Sequence, residues 1–440
     1  MARKMRDSGV EWIGEVPEGW KVARLKSLFS YGKGLAITKA DLVPKGVPVI
    51  SYGQIHAKTN SGTHLQDALL RHVSVDYLQT DGDCLLKKND FVFADTSEDL
   101  EGLGNCAFVD RDDKIFAGYH TIVFHPKCDM PSKYLAYLFK TDCWRSQFRA
   151  KAYGIKVYSL SQRLLNDCSV VLPQEQEAER IADYLDEKCA AIDGAVDELK
   201  RGIEDCKAWK KAIIFEAVTG KANVLAASAC AKTTADKKNA KVATRQMRDS
   251  GIPWIGEIPE GWEVKRLRFI AEITTGNKDT QDANPDGAYP FYVRSPIVER
   301  SADYTFDGLG IMMAGDGAGA GRIFHLADGK YAVHQRVYRI FNFKNIGAPF
   351  LWRYLMATFP FEMDKGSAQS TVPSVRLPML LNHCIMFPSL PKQRAIADYL
   401  DEKCAAIDAM VTEKESLIAD LEAYKKSLIF ELVTGKREVA

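Results

Sequence analysis

Met5-Arg-Asp-Ser-Gly9 returns as Met247-Arg-Asp-Ser-Gly251, Trp12-Ile-Gly-Glu15 as Trp254-Ile-Gly-Glu257, and Pro17-Glu-Gly-Trp20 as Pro259-Glu-Gly-Trp262, all at an offset of 242. Further along, Ile181 to Asp193 recurs letter for letter as Ile396 to Asp408, and Ile214 to Lys221 recurs with one change as Ile429 to Lys436, now at an offset of 215. A chain of 440 residues is too long for one hydrophobic core. The repeat says how it divides, into two copies of one plan. The ends of the copies match, while the middles differ by 27 residues in length and share little identity. Drift after duplication would blur the ends as well, so the middles, from about Ser27 to Pro173 and from about Arg268 to Pro391, are expected to do different jobs on a shared scaffold.

The constant segment after each middle is strongly patterned. Leu185, Cys189, Ile192, Val196, Leu199 and Ile203 fall at alternating spacings of four and three, and so do Leu400, Cys404, Ile407, Val411, Ile418 and Leu421, with Lys414 filling the intervening step. That is the seam of a coiled coil. Thr219-Gly220-Lys221 and Thr434-Gly435-Lys436 supply glycine stops. Each helix is expected to run about 40 residues, or ~60 Å. One such helix cannot bury its own stripe, so the two are expected to pack on each other, antiparallel if a twofold axis relates the halves. The expected fold is therefore α+β: two mixed α/β domains (1–173 and 247–390) joined by two long helices, one at 174–220 and one within 391–440 that ends in a C-terminal tail, which form an antiparallel coiled coil, with a mobile Ala/Lys/Thr-rich linker at 221–246.

The formal net charge is +1, which excludes a polycation that holds DNA by bulk charge. The charge is unevenly spread. Residues 174–220 hold 12 acids and 7 bases, and 391–434 hold 9 and 6, whereas 221–246 hold 6 bases and 1 acid. The helices are thus poorly suited to lie on phosphates. The ten cysteines form no CxxC pair and include Cys84, Cys106, Cys128 and Cys168 in apolar stretches, which fits buried thiols in a reducing, cytoplasmic compartment. The first residues show no signal-peptide pattern, and no apolar run is long enough to span a membrane.

Catalytic signatures are missing. There is no GxxxxGK[ST] phosphate loop and no Pro-Pro pair of the kind an adenine methyltransferase pocket needs. Gly102-x-Gly-x-x-Ala107 lies in a turn-like stretch, and Gly315-Asp-Gly-Ala-Gly-Ala-Gly321 reads as a hairpin turn between apolar strands. The histidines have no metal spacing. His120 and His334 sit in strand-like sequence, where a structural role is the ordinary reading. Four of the seven tryptophans lie in the repeated boxes, as aromatic staples would. No cofactor is expected on the chain itself.

The order of a Glu-x-Pro-Glu-Gly-Trp box, a variable domain and a Leu-Pro turn into a long helix, given twice, resembles the specificity subunit of Type I restriction-modification enzymes. The pieces that carry the resemblance are Glu15-Val-Pro-Glu-Gly-Trp20 and its copy, Val171-Leu-Pro-Gln-Glu-Gln-Glu177 leading into Ile181-Ala-Asp-Tyr-Leu, and Tyr331-Ala-Val-His-Gln-Arg-Val-Tyr338. The second turn, Leu390-Pro-Lys-Gln-Arg, lacks the glutamate. The resemblance implies that each middle is a target recognition domain reading one half of a bipartite, asymmetric sequence in double-stranded DNA. It further implies that the helices dock two methyltransferase subunits and that motor-nuclease subunits join them. S-adenosylmethionine, ATP and Mg would then belong to those partners. No membrane is involved.

Base readout needs polar side chains on exposed loops. In the first domain the candidates are Tyr52, Gln54, His56, Lys58, Thr96, Ser97, Lys151, Lys156, Tyr158, Gln162 and Arg163. In the second they are Arg294, Ser295, Arg322, His334, Arg336, Lys365, Gln369, Ser370 and Arg376. A rival of another class, two ligand-binding domains on a coiled-coil scaffold, explains the helices and the duplication but not the Trp boxes or the divergent middles.

Overall fold

The computed structural model describes residues 3–152, 157–223, 246–366 and 373–439, with Lys365 and Gly366 described by backbone alone. Most of the segment read as a linker lies outside the described residues, as do Lys156, Gln369 and Ser370. The chain divides into two units, Met1–Glu198 with Ser416–Ala440, and Leu199–Glu415. The two long helices, Glu175–Val218 and Leu390–Val433, have 44 residues each and give part of their length to either unit.

In the first unit, strand Phe91–Ala94 is an unbroken apolar run buried along its whole length. Alternate side chains leave a strand on opposite faces. Here Phe91 and Phe93 join an aromatic core with Phe29, Phe124, Phe139, Trp144 and Phe148, while Val92 and Ala94 enter a separate aliphatic cluster on the other face. A strand covered on both sides needs no polar alternation. It lies inside a four-stranded antiparallel sheet in the order Phe29–Lys33, Thr121–Pro126, Phe91–Ala94, Cys106–Phe108. Beside it in sequence, Phe116–Ala117 pairs parallel with Val47–Ile50.

The second unit repeats this plan with different residues. One of its two four-stranded sheets, counted among the described residues, runs Glu272–Thr275, Val337–Phe341, Gly310–Ala314, Phe324–Ala327. The third strand is again buried along its whole length, with Ile311 and Met313 on one face and Met312 on the other. Lys330–Val333 pairs parallel with Tyr289–Tyr292, as Phe116–Ala117 does with its partner. The glycine-rich stretch 315–321 is the hairpin turn between Gly310–Ala314 and Phe324–Ala327, as its sequence suggests.

Around each sheet the constant segments build one frame. Met5–Asp7 pairs with Glu15–Pro17, and Met247–Asp249 with Glu257–Pro259. Arg6 donates to the Trp20 carbonyl at 2.6 Å, and Arg248 to that of Trp262 at 2.6 Å. Both tryptophans are buried, which is the staple role read from the boxes. Each staple lies on a helix stop. A Cβ on Gly435 (φ +71°) would sit 2.5 Å from the Pro17 ring and 3.2 Å from Trp20, and one on Gly220 (φ +72°) 2.6 Å from Pro259 and 3.1 Å from Trp262. The left-handed backbone and the close approach both demand glycine.

Within each unit the helix segments pair antiparallel. In the first, Lys425 meets Asp193, while Tyr134 donates to the carbonyls of both Val171 and Val433. In the second, Lys210 meets Asp408, and Gly202 faces Lys414. Leu185, Cys189, Ile192, Val196, Ile203, Leu400, Cys404 and Ile407 are buried, and Leu199, Val411, Ile418 and Leu421 are half-buried.

Two sequence expectations need correction. Leu390-Pro391 does not precede the second helix but forms its first residues. Strand Cys384–Phe387 ends at Pro388, which stands where Pro173 follows Ser169–Leu172 in the first unit. Burial of thiols holds for Cys106 and Cys168, but Cys84 is half-buried and Cys128 is exposed, because Cys128 lies in the turn after strand Thr121–Pro126.

Candidate nucleic-acid interface

In the first unit the chain turns at the ends of three strands and brings distant residues together. After Val47–Ile50, Ser51 starts the short helix Tyr52–Ile55, and its backbone N–H donates to the Gln54 side chain at 3.2 Å. Gln54 is therefore engaged in capping. The Tyr52 ring lies 5.6 Å from Tyr119 and 5.4 Å from His120, edge to face. His120 is exposed, in left-handed backbone at φ +56°, with Nδ1 3.2 Å from Asp95. It is thus a turn residue and not the strand residue its sequence suggested.

His56 is a bridge rather than a free reader. Its Nε2 meets the Thr96 carbonyl at 2.7 Å, and its Nδ1 meets the Asn105 amide at 3.2 Å. Thr96 and Ser97 pair with Ser159 and Tyr158, which draws Tyr158 to the same loop, and Ser97 is buried. Lys58 is exposed near this cluster in sequence. Lys151, Gln162 and Arg163 sit on other elements, Lys151 after helix Asp142–Arg149 and the other two at the start of helix Gln162–Asn166.

In the second unit the polar residues are tied more tightly. Asp316, in the glycine-rich turn, accepts from Arg294 Nη1 through one carboxylate oxygen and from Arg336 Nη1 through the other, both at 2.9 Å. Burial would raise its carboxyl, but the hydrogen bonds and charge of the two arginines outweigh that and hold it below the usual value. Ser295 accepts from the Ile297 N–H through its hydroxyl and from His325 through its carbonyl. His334 is buried, with Nδ1 accepting from the Arg336 N–H at 3.0 Å and Nε2 3.3 Å from Asp279, so its role is structural. Arg322 pairs with Asp364 at 2.5 Å. Arg376 is exposed at the start of helix Leu377–Asn382. The side chain of Lys365 lies outside the described residues.

Strand register makes the two loop clusters comparable. In the first unit Ala117 pairs with Ile50 and Thr121 with Ala94, and in the second Val333 pairs with Tyr292 and Val337 with Ala314. Counting outward, Tyr52 matches Arg294, Thr96 matches Asp316 and His120 matches Arg336. The loop hydrogen bonds agree. Asp95 N–H donates to the His120 carbonyl where Gly315 donates to Arg336, and Leu160 donates to Asp95 where Val375 donates to Gly315. Sequence reading found Tyr52, Thr96, Arg294 and Arg336 but missed Asp95, Tyr119 and Asp316. An acid inside a glycine-rich turn was the available signal for Asp316.

Among the described residues no cluster of His, Cys, Asp and Glu is arranged to hold a metal ion, and no helix is long and apolar enough to cross a membrane.

The sequence model of the family described as Type I restriction modification DNA specificity domain matches residues 17–197 and 259–418. The chain is 25% identical over 181 residues to the Type I restriction enzyme EcoDI specificity subunit of Escherichia coli, a match covering 41% of this chain and only 40% of that protein. It is also 25% identical over 338 residues to the Type I restriction enzyme MjaVIII specificity subunit of Methanocaldococcus jannaschii, covering 70% of this chain and 71% of that one. Among solved structures, a chain from work on complex assembly and conformational transition of the type I R-M system superposes with a TM-score of 0.66 at 15% identity, over 96% of this chain and 99% of that one. The HsdS subunit of Thermoanaerobacter tengcongensis gives a TM-score of 0.50 at 14% identity over 96% and 98%. At such identities the likeness is one of fold.

Proposed function

This chain belongs to the Type I restriction modification DNA specificity family, and from that premise we propose that it is a non-catalytic subunit reading a bipartite, asymmetric target in double-stranded DNA. Each variable domain reads one half-site with the loops at its strand ends. The subunit directs two methyltransferase subunits, and restriction subunits with them, to that target in the cytoplasm. S-adenosylmethionine, ATP and Mg are held by the partners.

The observation that carries this reading is the matched loop frame. The same strand order and loop hydrogen bonds present Tyr52, Thr96 and His120 in one unit and Arg294, Asp316 and Arg336 in the other. A constant backbone with exchanged side chains is what two readers of different sequences require. The test is to exchange residues 268–390 for the corresponding segment of another family member and map methylated sites. One half of the target changes and the other stays. A change in both halves, or in neither, overturns the reading.

A further inference from the structure

The Arg294–Asp316–Arg336 arrangement supports a finer statement, which rests on the reading above. We infer that Arg294 and Arg336 are a guanine-reading pair, so that the half-site of the second domain contains guanine at the base positions these two side chains reach.

The geometry argues for this in three steps. Asp316 takes one nitrogen, Nη1, from each guanidinium, and each keeps Nη2 and Nε in the same plane for a second partner. Guanine presents two acceptors, O6 and N7, on its major-groove edge, and a planar fork that engages both is the commonest specific contact to that base. Next, the clamp lies beneath the surface it supports. The Asp316 side chain is only 16% exposed, whereas Arg294 is 42% and Arg336 64% exposed. Within the clamp two guanidiniums share one carboxylate, and Asp279 also lies within electrostatic reach of Arg294.

Finally, the clamp is itself fixed. Gly315 N–H donates to the Arg336 carbonyl, Val375 N–H to Gly315 and Gly317 N–H to Pro373, while the Arg336 N–H is held by buried His334. Long side chains lose rotamer freedom on binding. Arginines already held on a carboxylate lose less, which is the design of a reader rather than of a loose phosphate contact. The matched positions of the first domain carry Tyr52, Thr96 and His120, which offer no guanidinium fork.

The test uses the full chain purified with its methyltransferase partner, a DNA pool randomised in both half-sites, and Arg294→Ala, Arg336→Ala and Asp316→Asn. Wild type selects guanine in the second half-site. Each arginine variant loses the preference at one guanine position by roughly 5- to 150-fold, and Asp316→Asn weakens both. The unchanged first half-site shows that the variants are folded. Uniform weakening across all sequences, with a shallower salt dependence, would make the arginines phosphate contacts and overturn the inference. A selected second half-site with no G·C pair also overturns it and leaves the broader function standing. A wild-type complex that selects no sequence at all overturns that function as well.

Discussion

Lys425 donates to both carboxylate oxygens of Asp193 at 2.6 Å. The same pair recurs with the helices exchanged, Lys210 donating to Asp408 at 2.7 and 2.6 Å. Lysine occupies a seam position in each helix, where the heptad otherwise asks for an apolar residue. Its stem covers the seam while its ammonium finds the partner helix. The Asp408 side chain is 58% exposed, so the pair is worth little, about 0.2–1 kcal/mol. A double-mutant cycle of Lys210→Ala and Asp408→Ala in denaturant melts is expected to give a coupling in that range, shrinking at about 1 M salt. Its use is to set register, since a slip of one turn separates both pairs.

Gly435→Ala and Gly220→Ala are expected to destabilise the protein by about 1–3 kcal/mol each, because alanine must adopt a positive φ and its Cβ meets a proline ring. Gly194 lies mid-helix with open space around it, so Gly194→Ala is expected to stabilise by about 0.5–1 kcal/mol. Thermal melts of the three variants check both signs. An equal loss at all three positions would remove the argument from close packing.

These glycines also show what a sequence can disclose. Both stops, the Trp boxes and the heptad seam were legible because they repeat and because helical packing has a local period. That Trp20 donates to Glu177 at 3.1 Å was not, since 157 residues separate them. Sheet order was hidden because the middles share no side-chain pattern beyond buried runs, and register is set by pairs far apart in the chain. The arginine clamp draws on three separate stretches, so Arg294 and Arg336 were visible only as exposed bases and Asp316 only as an acid inside a glycine-rich turn. His120 was misread because its neighbours Tyr119 and Thr121 suit a strand, while its backbone turns.

Lys140 ends helix Ser132–Phe139, within electrostatic reach of Lys425, Cys189, Asp193 and Arg145. Burial, then the charge of Lys425, pulls its amine down to about 8. The folded state therefore resists protonation of this group. The cost is full below pH 8 and fades as pH rises toward the unfolded value near 10.5. Lys140→Met, which keeps the length of the side chain and removes its charge, is expected to stabilise by about 1–3 kcal/mol at pH 7. Urea titrations at pH 7 and pH 10 check this, and a gain that grows with pH would refute it.

Tyr137 donates to Asp186 at 2.5 Å, and Arg353 reaches Asp401, the same aspartate of the repeated helix sequence. Identical carboxylates thus anchor two different domains, one through the Tyr137 hydroxyl and the part-exposed ammonium of Lys133, the other through the buried guanidinium of Arg353. The Arg353 side chain is only 9% exposed, and burial lowers its pKa. Removing Asp401 strands a buried charge, whereas removing Asp186 costs one hydrogen bond and a part-exposed ion pair with Lys133, which keeps Asp183 as a partner. Asp401→Ala is therefore expected to destabilise by about 2–4 kcal/mol and Asp186→Ala by about 1 kcal/mol. Arg353→Tyr in the Asp401→Ala background should recover part of the larger loss, since the buried cation is then gone. Equal effects of the two alanine variants in calorimetry would mean that the frame, not the anchoring side chain, sets the cost.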